Sequence, residues 1–448
     1  MGAIHEPERC VVRDSPMVPQ FRGRLNEFQR TLLQWAGLHP YNAVHVAEVG
    51  GTFQADRVRA GISRVLTECH LGQVEIDARR GFYTYHAGEP DLQLHVLDDH
   101  SGTGLEEEIA WQLNEPFPSH ATFTPFRFFL LVGATSTRLG IGYFHVIADA
   151  ESVTRLLLEI TRQIMANDAT PVRTEGLRPL HSSQIASGSL FSTPWKLVRA
   201  VKKIRALRKS FRPPLCRDND FRNGTFSFAL GREQTAAVLA KAKSWGVTVN
   251  DLCLAATLLA DVAITGERFQ RGRPQLSVGC IVNLRRDVEE ARRRDFGLFL
   301  GFFTVTHLVP PDISFQQLAL EIHAQTQDAK QRKLYLAAPF ELRTSRFLFG
   351  RMPIKKQRNF YRKTYPVWGG ITNMRVDDLC RESGVEGILS YHRGVSTGPA
   401  LPFAVGITGA YGRLSFGVSF RPQMINREHI EETMVRFSHF LTAPEGTA

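Results

Sequence analysis

The sequence predicts a mixed α/β fold built from two lobes. The chain has 448 residues, and at roughly 100–200 residues per domain this length predicts two or three domains. Hydrophobic residues make up 43% of the chain and charged residues 22%. These values are typical of globular proteins and exclude a disordered chain, a fibrous repeat and a coiled coil. Strands and helices are mixed in both halves, so we expect two α/β lobes with mixed sheets.

The first half carries the elements of an N-terminal lobe. Apolar residues recur at helical spacing from Val58 to Leu66, which is typical of an amphipathic helix. Two apolar runs joined by a short polar segment predict a β-hairpin. In chain order we predict a helix over 26–35, a strand over 45–53, a helix over 55–68, a hairpin over 126–132 and 138–146, and a helix over 151–165.

A shift in composition separates the two halves. Residues 170–191 are rich in serine, proline and glycine and predict a linker. Basic residues then alternate with apolar ones over 196–212, which predicts a basic amphipathic helix closed by Pro213 and Pro214. The predicted divisions are an N-terminal lobe at 1–175, a linker with its basic helix at 176–215 and a C-terminal lobe at 216–448.

The second half repeats the mixture of strands and helices. Thr248 is followed three residues later by Asp251, and this capping box predicts the start of a very apolar helix. Gly246 ends the helix before it. The predicted elements are a strand over 224–230, helices over 233–245 and 252–264, a strand over 275–284, two strands within 404–420 and a helix over 427–441.

The chain is strongly basic, with a formal net charge of +11 at pH 7. An excess of this size indicates an anionic partner. Nucleic acid, an acidic lipid surface, a phosphate-bearing cofactor and an acidic carrier protein all fit it. A nucleic-acid binder should also show an OB, RRM or helix-turn-helix signature, and the sequence shows none, so we expect no nucleic acid.

Cysteine usage and the apolar segments indicate the compartment. The six cysteines are dispersed without a C-x-x-C pair, which disfavours a disulfide framework or a zinc finger and favours a reducing compartment. The charged start lacks the apolar core of a secretory signal. The most apolar stretch, 252–266, contains Asp261 and is too short to span a bilayer. We expect a soluble, cytoplasmic monomer.

The feature that carries chemistry is His145, followed four residues later by Asp149. The sequence lacks a dinucleotide fingerprint, a P-loop, a nucleophile elbow and zinc-ligand spacing. H-x-x-x-D is a weak pattern by itself, and it occurs again at His95 and Asp99. Context separates the two, because His145 ends an apolar strand and precedes a helix, whereas His95 precedes a polar stretch. A satisfied core histidine is the competing interpretation of His145.

The segment from His145 to Asp149 resembles the H-H-x-x-x-D-G motif of the two-lobed acyltransferases. These include condensation domains, chloramphenicol acetyltransferase, plant alcohol acyltransferases, and polyketide-associated and wax ester acyltransferases. Other segments match in the same order across most of the chain. They are 51–71, which ends Thr67-Glu68-Cys69-His70-Leu71, then Gly246-Val-Thr-Val-Asn-Asp251, Val282-Asn-Leu-Arg285, Gly301-Phe-Phe303 and Ile371-Thr-Asn373. The resemblance implies two chloramphenicol-acetyltransferase-like lobes with the active site in a channel between them.

Three positions depart from the motifs of that superfamily. Phe144 stands in place of the first motif histidine and Ala150 in place of the motif glycine. Phe302 replaces the asparagine of the L-G-N-x-F segment, so a role borrowed from that asparagine does not transfer to this chain.

The resemblance implies a role for each candidate residue. His145 would be the general base that takes the acceptor's proton, a task that suits a neutral imidazole. Asp149 would pair with Arg285 and hold the turn in shape, with Arg286 as the neighbouring alternative. An unpaired buried carboxylate would be costly, which also favours an architectural role for this residue.

Two further residues are candidates for binding the reacting oxygen. Thr372 and Asn373 match the V-S-N segment of the superfamily, and the resemblance implies that they meet the oxyanion of the tetrahedral intermediate or position the substrate. Hydrogen bonding at a strand end is the competing interpretation of both residues.

The implied reaction moves an acyl group from a pantetheine thioester, either acyl-CoA or an acyl carrier protein, to a small-molecule hydroxyl. It needs no tightly bound cofactor, no metal and no acyl-enzyme. Amide formation on an amine, as in condensation domains, and a non-catalytic protein that binds a carrier or lipid are the alternatives. The basic segments 196–212 and 351–363 would meet phosphates, an acidic carrier or an anionic membrane, and a solvated surface is their competing interpretation.

Overall fold

Strands and α-helices alternate along the part of the chain that this computed structural model describes. The described residues are 19–98, 104–119, 121–166, 170–180, 207–215, 220–353, 356, 360, 362–399 and 401–444. The strands are β1 (Pro19–Arg24), β2 (Asn42–Gly50), β3 (Gln73–Asp77), β4 (Phe82–His86), β5 (Leu94–Asp98), β6 (Phe126–Val132), β7 (Ser136–Phe144), β8 (Gly224–Leu230), β9 (Leu276–Asn283), β10 (Leu300–His307), β11 (Gly369–Arg375), β12 (Ile388–Val395), β13 (Phe403–Ala410) and β14 (Arg413–Phe420). The helices are α1 (Glu27–Ala36), α2 (Ala55–Glu68), α3 (Gly104–Asn114), α4 (Ala150–Met165), α5 (Arg232–Ser244), α6 (Val249–Ile264), α7 (Phe315–Gln331), α8 (Ala338–Gly350), α9 (Asp377–Ser383) and α10 (Arg427–Thr442).

Two large mixed sheets define the two lobes. The N-terminal sheet has the strand order β12-β2-β7-β6-β5, and the C-terminal sheet has the order β10-β9-β11-β13-β14-β8. Both sheets combine parallel and antiparallel pairs. A small third sheet, β1-β4-β3, adjoins the N-terminal lobe. Each large sheet has its own apolar core, so the predicted two-lobed α/β architecture is confirmed.

Local sequence signals place most of the predicted elements correctly. Helix α2 has the predicted bounds and buries the four apolar residues of its predicted face. The predicted hairpin is the antiparallel pair β6 and β7. The strand predicted over 45–53 lies at Asn42–Gly50 instead, because Gly51 has a φ of +92° and leaves the extended conformation there.

The start of helix α6 confirms the predicted capping box. The Thr248 side chain accepts a hydrogen bond from the backbone N–H of Asp251, and the Asp251 carboxylate accepts one from the Thr248 N–H. Helix α6 packs against α7 and α10 in the C-terminal lobe. No described helix is by itself long and apolar enough to cross a membrane, although α5 and α6 together, bent by 100°, reach the required length and composition.

The predicted linker and basic helix fall mostly at 181–206, outside the described residues. The described ends of this region are 170–180 and 207–215. The predicted division of the chain into 1–175, 176–215 and 216–448 stays a prediction.

One strand of the second half joins the N-terminal sheet. Strand β12 pairs antiparallel with β2, and Arg393 lies opposite His45 in that register. The backbone of β12 also lies directly against the C-terminal sheet, because a Cβ at Gly417 would come 1.8 Å from the Arg393 carbonyl oxygen. Glycine at this position therefore permits the two sheets to meet along β12.

A buried carboxylate in α6 has no hydrogen-bond partner. Asp261 is fully buried, and neither of its side-chain oxygens has a partner among the described residues. Burial raises the pKa of Asp261 well above its ordinary value, since the charged form is disfavoured in an apolar surrounding.

We expect Asp261→Asn to stabilise the protein at pH 7. The native state holds a proton on this carboxyl group that the unfolded chain releases, whereas asparagine has the same shape and does not ionise. The free energy of unfolding should rise by about 1–3 kcal/mol at pH 7. The gain should be smaller at pH 4, because the pH is then close to 3.8, the ordinary aspartate value, and the unfolded chain also binds part of the proton. Urea unfolding at pH 7 and pH 4 measures the gain in stability, and Asp312→Asn is the control at an exposed position. An equal gain at the two pH values would contradict the prediction.

Candidate active site

The predicted site lies at a cavity between the two lobes. The cavity has a volume of about 250 Å³. The N-terminal lobe contributes residues of β2 and β7 together with His145, the C-terminal lobe contributes β9, β10, β11 and α8, and β12 closes one side. The lining is mainly apolar and includes Phe28, Trp35, Ile281, Leu300, Phe302, Leu342, Val367 and Leu401. The cavity therefore lies where the predicted channel between the lobes was expected.

His145 lies directly after β7 and forms part of the cavity wall. Its side chain is mostly buried, and the residue is 8% exposed. The imidazole stacks on Tyr41 with a ring-centroid distance of 5.9 Å and meets the edge of Tyr143 at 5.5 Å. The backbone N–H of His145 donates to the Tyr41 carbonyl oxygen. These contacts hold the ring in one orientation at the cavity.

One hydrogen bond fixes the tautomer of this imidazole. Nδ1 of His145 lies 2.9 Å from the carbonyl oxygen of Ala148, and a carbonyl oxygen can only accept, so Nδ1 carries the proton. Nε2 then keeps its lone pair, and no described residue bonds to it. Burial lowers the pKa of His145, an effect that the Ala148 hydrogen bond and Asp149 oppose and the charge of Arg393 reinforces. The ring is neutral in this site, as a general base requires.

Asp149 caps helix α4 and binds across the lobes. Its Oδ1 accepts from the backbone N–H of Ser152 at 2.9 Å, which stabilises the first turn of the helix. Its Oδ2 accepts from Arg285 Nη1 at 2.5 Å and from the Phe299 N–H at 2.9 Å. The structure thus brings together Asp149 and Arg285, the pair that the sequence predicted, whereas Arg286 is exposed.

Ser152 completes the contacts between the lobes. Its Oγ accepts from Arg285 Nη2 at 2.7 Å and from the Gly297 N–H at 3.0 Å, and it donates to the Gly297 carbonyl oxygen at 2.9 Å. The Arg285 guanidinium also lies 4.3 Å from the centre of the Phe299 ring. We term Asp149, Ser152 and Arg285 the interlobe cluster. Sequence reasoning missed Ser152, whose only signal is its place three residues after an N-cap.

The structure separates the two predicted oxyanion residues. Thr372 lines the cavity. Asn373 is exposed and does not line it. A direct contact of Asn373 with substrate in this cavity therefore has no geometric support.

The three departures from the superfamily motifs have distinct surroundings. Phe144 is buried and packs with Phe117 and Phe123. Ala150 and Phe302 both line the cavity, and the Phe302 ring meets the edge of Phe28 at 6.3 Å. The position of the missing asparagine is therefore an apolar part of the wall.

Three cavity residues lay outside the sequence prediction. His45 is buried, and its Nδ1 lies 2.8 Å from the Tyr391 hydroxyl. Tyr41 stacks on His145, and Arg393 brings a positive charge to the wall. No local pattern marked them, because their shared location depends on the pairing of β2, β7 and β12.

The competing H-x-x-x-D histidine lies elsewhere. His95 is on β5, where its Nδ1 is 3.2 Å from a Glu108 carboxylate oxygen, and it does not line the cavity. Asp99 lies outside the described residues. Within the described ranges, no three histidine, cysteine or acidic residues come together as a metal site.

The second basic segment is only partly described. Lys355 and Arg358 lie outside the described residues. Phe347 and Leu348, near the end of α8, are 57% and 42% exposed. Phe349 and Phe360 instead pack together with a ring-centroid distance of 5.9 Å. The contact of this segment with an anionic membrane stays a prediction.

We expect Asp149→Ala to destabilise the protein and to lower its activity. The substitution removes the closer of the two carboxylates of the buried Arg285 and leaves only Glu151 at 3.6 Å, so the free energy of unfolding should fall by about 3–5 kcal/mol. Denaturant unfolding followed by circular dichroism measures this change. The control is Asp328→Ala, which removes an exposed pair with Arg332 and should change stability by less than about 1 kcal/mol. A wild-type unfolding curve for Asp149→Ala would refute the scaffold role.

Comparison with known proteins gives matches among solved structures only. No family model matches the chain, and no curated protein matches it. The condensation domain of Monacolin K polyketide synthase MokA is similar, with a TM-score of 0.63 and 10% identity over 95% of this chain and 97% of that chain.

Two further structures show the same likeness. The starter condensation domain of rhizomide synthetase RzmA, solved in complex with C8-CoA, has a TM-score of 0.65 and 16% identity, covering 94% of both chains. Polyketide synthase associated protein 5 from Mycobacterium tuberculosis has a TM-score of 0.60 and 12% identity over 94% of this chain and 98% of that chain. With the interlobe cavity, these matches show that the chain has the two-lobed fold of condensation domains.

Proposed function

We propose that the protein is an acyltransferase that moves an acyl group from a pantetheine thioester to an acceptor hydroxyl. The observation that carries this proposal is the state of His145. Its Nδ1 is committed to the Ala148 carbonyl oxygen, so Nε2 is the basic nitrogen of a neutral imidazole in the wall of the interlobe cavity. This is the arrangement that general-base catalysis needs.

The chemical step balances with His145 alone as proton carrier. Nε2 takes the proton of the acceptor hydroxyl as the oxygen attacks the thioester carbonyl carbon. The tetrahedral intermediate then collapses, the C–S bond breaks, and the imidazolium returns the proton to the leaving thiolate. The products are an ester and a free thiol.

The nearest thiol does not suggest a covalent route. Cys280 lines the cavity, but burial raises its pKa to about 11, with a smaller opposing effect of its Asn250 hydrogen bond. A thiol with such a pKa is almost wholly protonated at neutral pH and is a poor nucleophile. Direct attack by the acceptor is therefore the simpler mechanism.

The cavity lining suits an acyl chain. Aromatic and aliphatic side chains from both lobes face one another across it, including Phe28, Leu300 and Phe302. Burial of an alkyl chain against such walls contributes about 0.8 kcal/mol per CH₂ group. Thr372 on β11 brings a hydroxyl group to this wall. It is our candidate for positioning the thioester carbonyl or its oxyanion.

A cluster of four arginines, Arg212, Arg271, Arg273 and Arg362, supports a phosphate-bearing donor. Arg362 Nε donates to the carbonyl oxygen of Pro213, the neighbour of Arg212, at 2.5 Å, and Arg273 Nη1 donates to the Ser210 carbonyl oxygen at 3.1 Å. Burial lowers the pKa of Arg362, and the charges of the other three arginines lower it further. Like charges repel, and an anion would relieve the repulsion. Val367 lies between Arg362 and Trp368 in the chain and lines the cavity.

Two of the segments that supply the arginine cluster contain no acidic residue, although Arg271 forms an exposed ion pair with Glu267. The chain has no aspartate or glutamate between Glu175 and Asp218, nor between Glu341 and Asp377. The two segments meet where the Trp368 indole N–H donates to the Phe211 carbonyl oxygen at 3.1 Å and the two rings stack at 5.7 Å. The phosphates of CoA and of a carrier-bound pantetheine share the chemistry that this surface fits. The similar RzmA domain was solved with C8-CoA, which supports the same donor class.

Two other functions fit the same fold. An amine acceptor would give an amide by the same proton transfer, since the base does not distinguish the two nucleophiles. A non-catalytic protein that binds a carrier or lipid would not need a general base. His145 is present with its proton on Nδ1 and its lone pair on Nε2, which favours an enzyme. The cytoplasmic location and the monomeric state remain part of the proposal.

We expect His145→Ala to lower the rate of thiol release from acyl-CoA by about 10²–10⁴-fold, because the base is removed. Circular dichroism should be unchanged. The matched control is His95→Ala, which removes the histidine of the other H-x-x-x-D segment and should keep the wild-type rate. Full activity of His145→Ala would refute the base assignment.

The substrates for that assay come from one screen. Mass spectrometry would follow acyl-CoA donors of different chain length against pooled alcohols and pooled amines. Acyl-pantetheine, which lacks the nucleotide phosphates, tests the arginine cluster in parallel. If no acyl-CoA donor gave an ester or an amide with any pooled acceptor, the transferase proposal would be contradicted.

We expect the pH profile to follow the lowered pKa of His145. The base works only when deprotonated, so kcat/KM should stay constant as the pH falls through 6.5, the ordinary histidine value, and decline only at lower pH. Stability should weaken as the pH falls from 6.5 to the lower native pKa, because the unfolded chain binds a proton there that the buried ring does not. Rates and unfolding curves are measured together, and a decline centred at or above 6.5 would contradict the prediction.

A further inference from the structure

Arg393 places a buried positive charge in the wall of the cavity that contains His145. The residue is 5% exposed and lines the cavity from β12. We propose that Arg393 binds a carboxylate of the acceptor, so that the acceptor is a hydroxy acid and not a neutral alcohol. This inference rests on the proposed function, which supplies the acyl acceptor, and it adds the chemical class of that acceptor.

The described contacts of Arg393 are all with neutral oxygens. Its Nε donates to the Thr408 hydroxyl at 2.9 Å. Its Nη2 donates to the carbonyl oxygens of Ile407 at 2.6 Å and Thr372 at 3.2 Å. Nη1 has no hydrogen-bond partner among the described residues. These bonds fix the guanidinium in place and leave one of its nitrogens for a ligand.

The charge of Arg393 has no counter-charge in the described part of the protein. No aspartate or glutamate there forms an ion pair with it, although the structure contains many other such pairs. Burial lowers the pKa of Arg393 to about 10, so the group stays protonated at neutral pH. An uncompensated buried cation costs free energy, and a bound carboxylate would offset that cost.

A second buried arginine shows what a purely structural role looks like. Arg421 is 1% exposed and does not line the cavity. Its Nε, Nη1 and Nη2 all have partners, namely the carbonyl oxygens of Gly398, Phe221 and Thr397. Arg393 differs in both respects, since it keeps Nη1 without a described partner and stands in the cavity wall.

The position of Arg393 relative to the base suits a hydroxy acid. Arg393 lies opposite His45 on the adjacent strand, and its charge acts on both His45 and His145, lowering the pKa of each. The Thr372 carbonyl that it binds belongs to another cavity residue. An acceptor with its carboxylate at Nη1 would present a hydroxyl within the same cavity as Nε2 of His145.

The experiment measures acceptor binding without any acyl donor. Isothermal titration calorimetry compares 3-hydroxyoctanoate with 3-hydroxyoctanamide, which differ in charge and little else. The wild-type protein should bind the acid about tenfold more tightly, because charge-assisted hydrogen bonds are roughly twice as strong as neutral ones. Arg393→Gln should lose this preference and keep its affinity for the amide within about twofold.

Two variants control for charge and for folding. Arg393→Lys keeps a cation and should keep a preference for the acid. Arg268→Gln replaces another buried arginine, which donates to the Val309 carbonyl oxygen at 2.9 Å and does not line the cavity, and it should behave as the wild type. If Arg393→Gln does not fold, the wild-type protein and Arg393→Lys decide the question.

Equal affinities for acid and amide in the wild type, binding of neither probe, or a preference that survives in Arg393→Gln would overturn the assignment. Equal binding together with a slower transfer in Arg393→Gln would also overturn it, since the guanidinium would then meet the oxyanion instead. Failure of the proposed function looks different, because a retained acid preference with no acyl transfer in the screen leaves the anion site standing.

Discussion

The buried ion pair between Asp149 and Arg285 is the constraint on which the site depends. It joins the first turn of α4 in the N-terminal lobe to the segment that follows β9 in the C-terminal lobe. Two charges out of water are stable only when their remaining hydrogen-bonding capacity is met, and Ser152 and the Phe299 backbone meet most of it here. Because the pair spans both lobes, it also sets the position of the cavity between them.

The chemistry of His145 follows from the same turn. The chain between β7 and α4 brings the Ala148 carbonyl oxygen to Nδ1 of His145. The carboxylate of Asp149 instead bonds to Arg285 and to the backbone of Phe299. One backbone hydrogen bond thus sets the tautomer of the imidazole, and burial lowers its pKa. Asp149 holds the turn, while His145 lies in the cavity wall.

Local signals in the sequence predicted many elements and the core of the site. Apolar spacing defined α2 and β8, and a capping box defined the start of α6, because these features depend on neighbouring residues only. Motif resemblance predicted that Asp149 pairs with Arg285. Ser152 and Arg393 were beyond such reasoning, since each acquires its place through contacts with residues more than a hundred positions away or through a strand exchanged between lobes.

Asn373 shows most directly where prediction from the sequence fails. A three-residue resemblance placed it with Thr372, yet Asn373 is exposed while Thr372 lines the cavity. The sequence by itself determined many of the helices and strands, the two-lobed architecture, and the pairing of Asp149 with Arg285 beside His145. The tertiary structure alone decided which side chains share the cavity, and it placed the positive charge of Arg393 in the same wall as His145. The reason is physical, because strand register and sheet contact are set by pairings across the whole chain, and those pairings leave no local pattern.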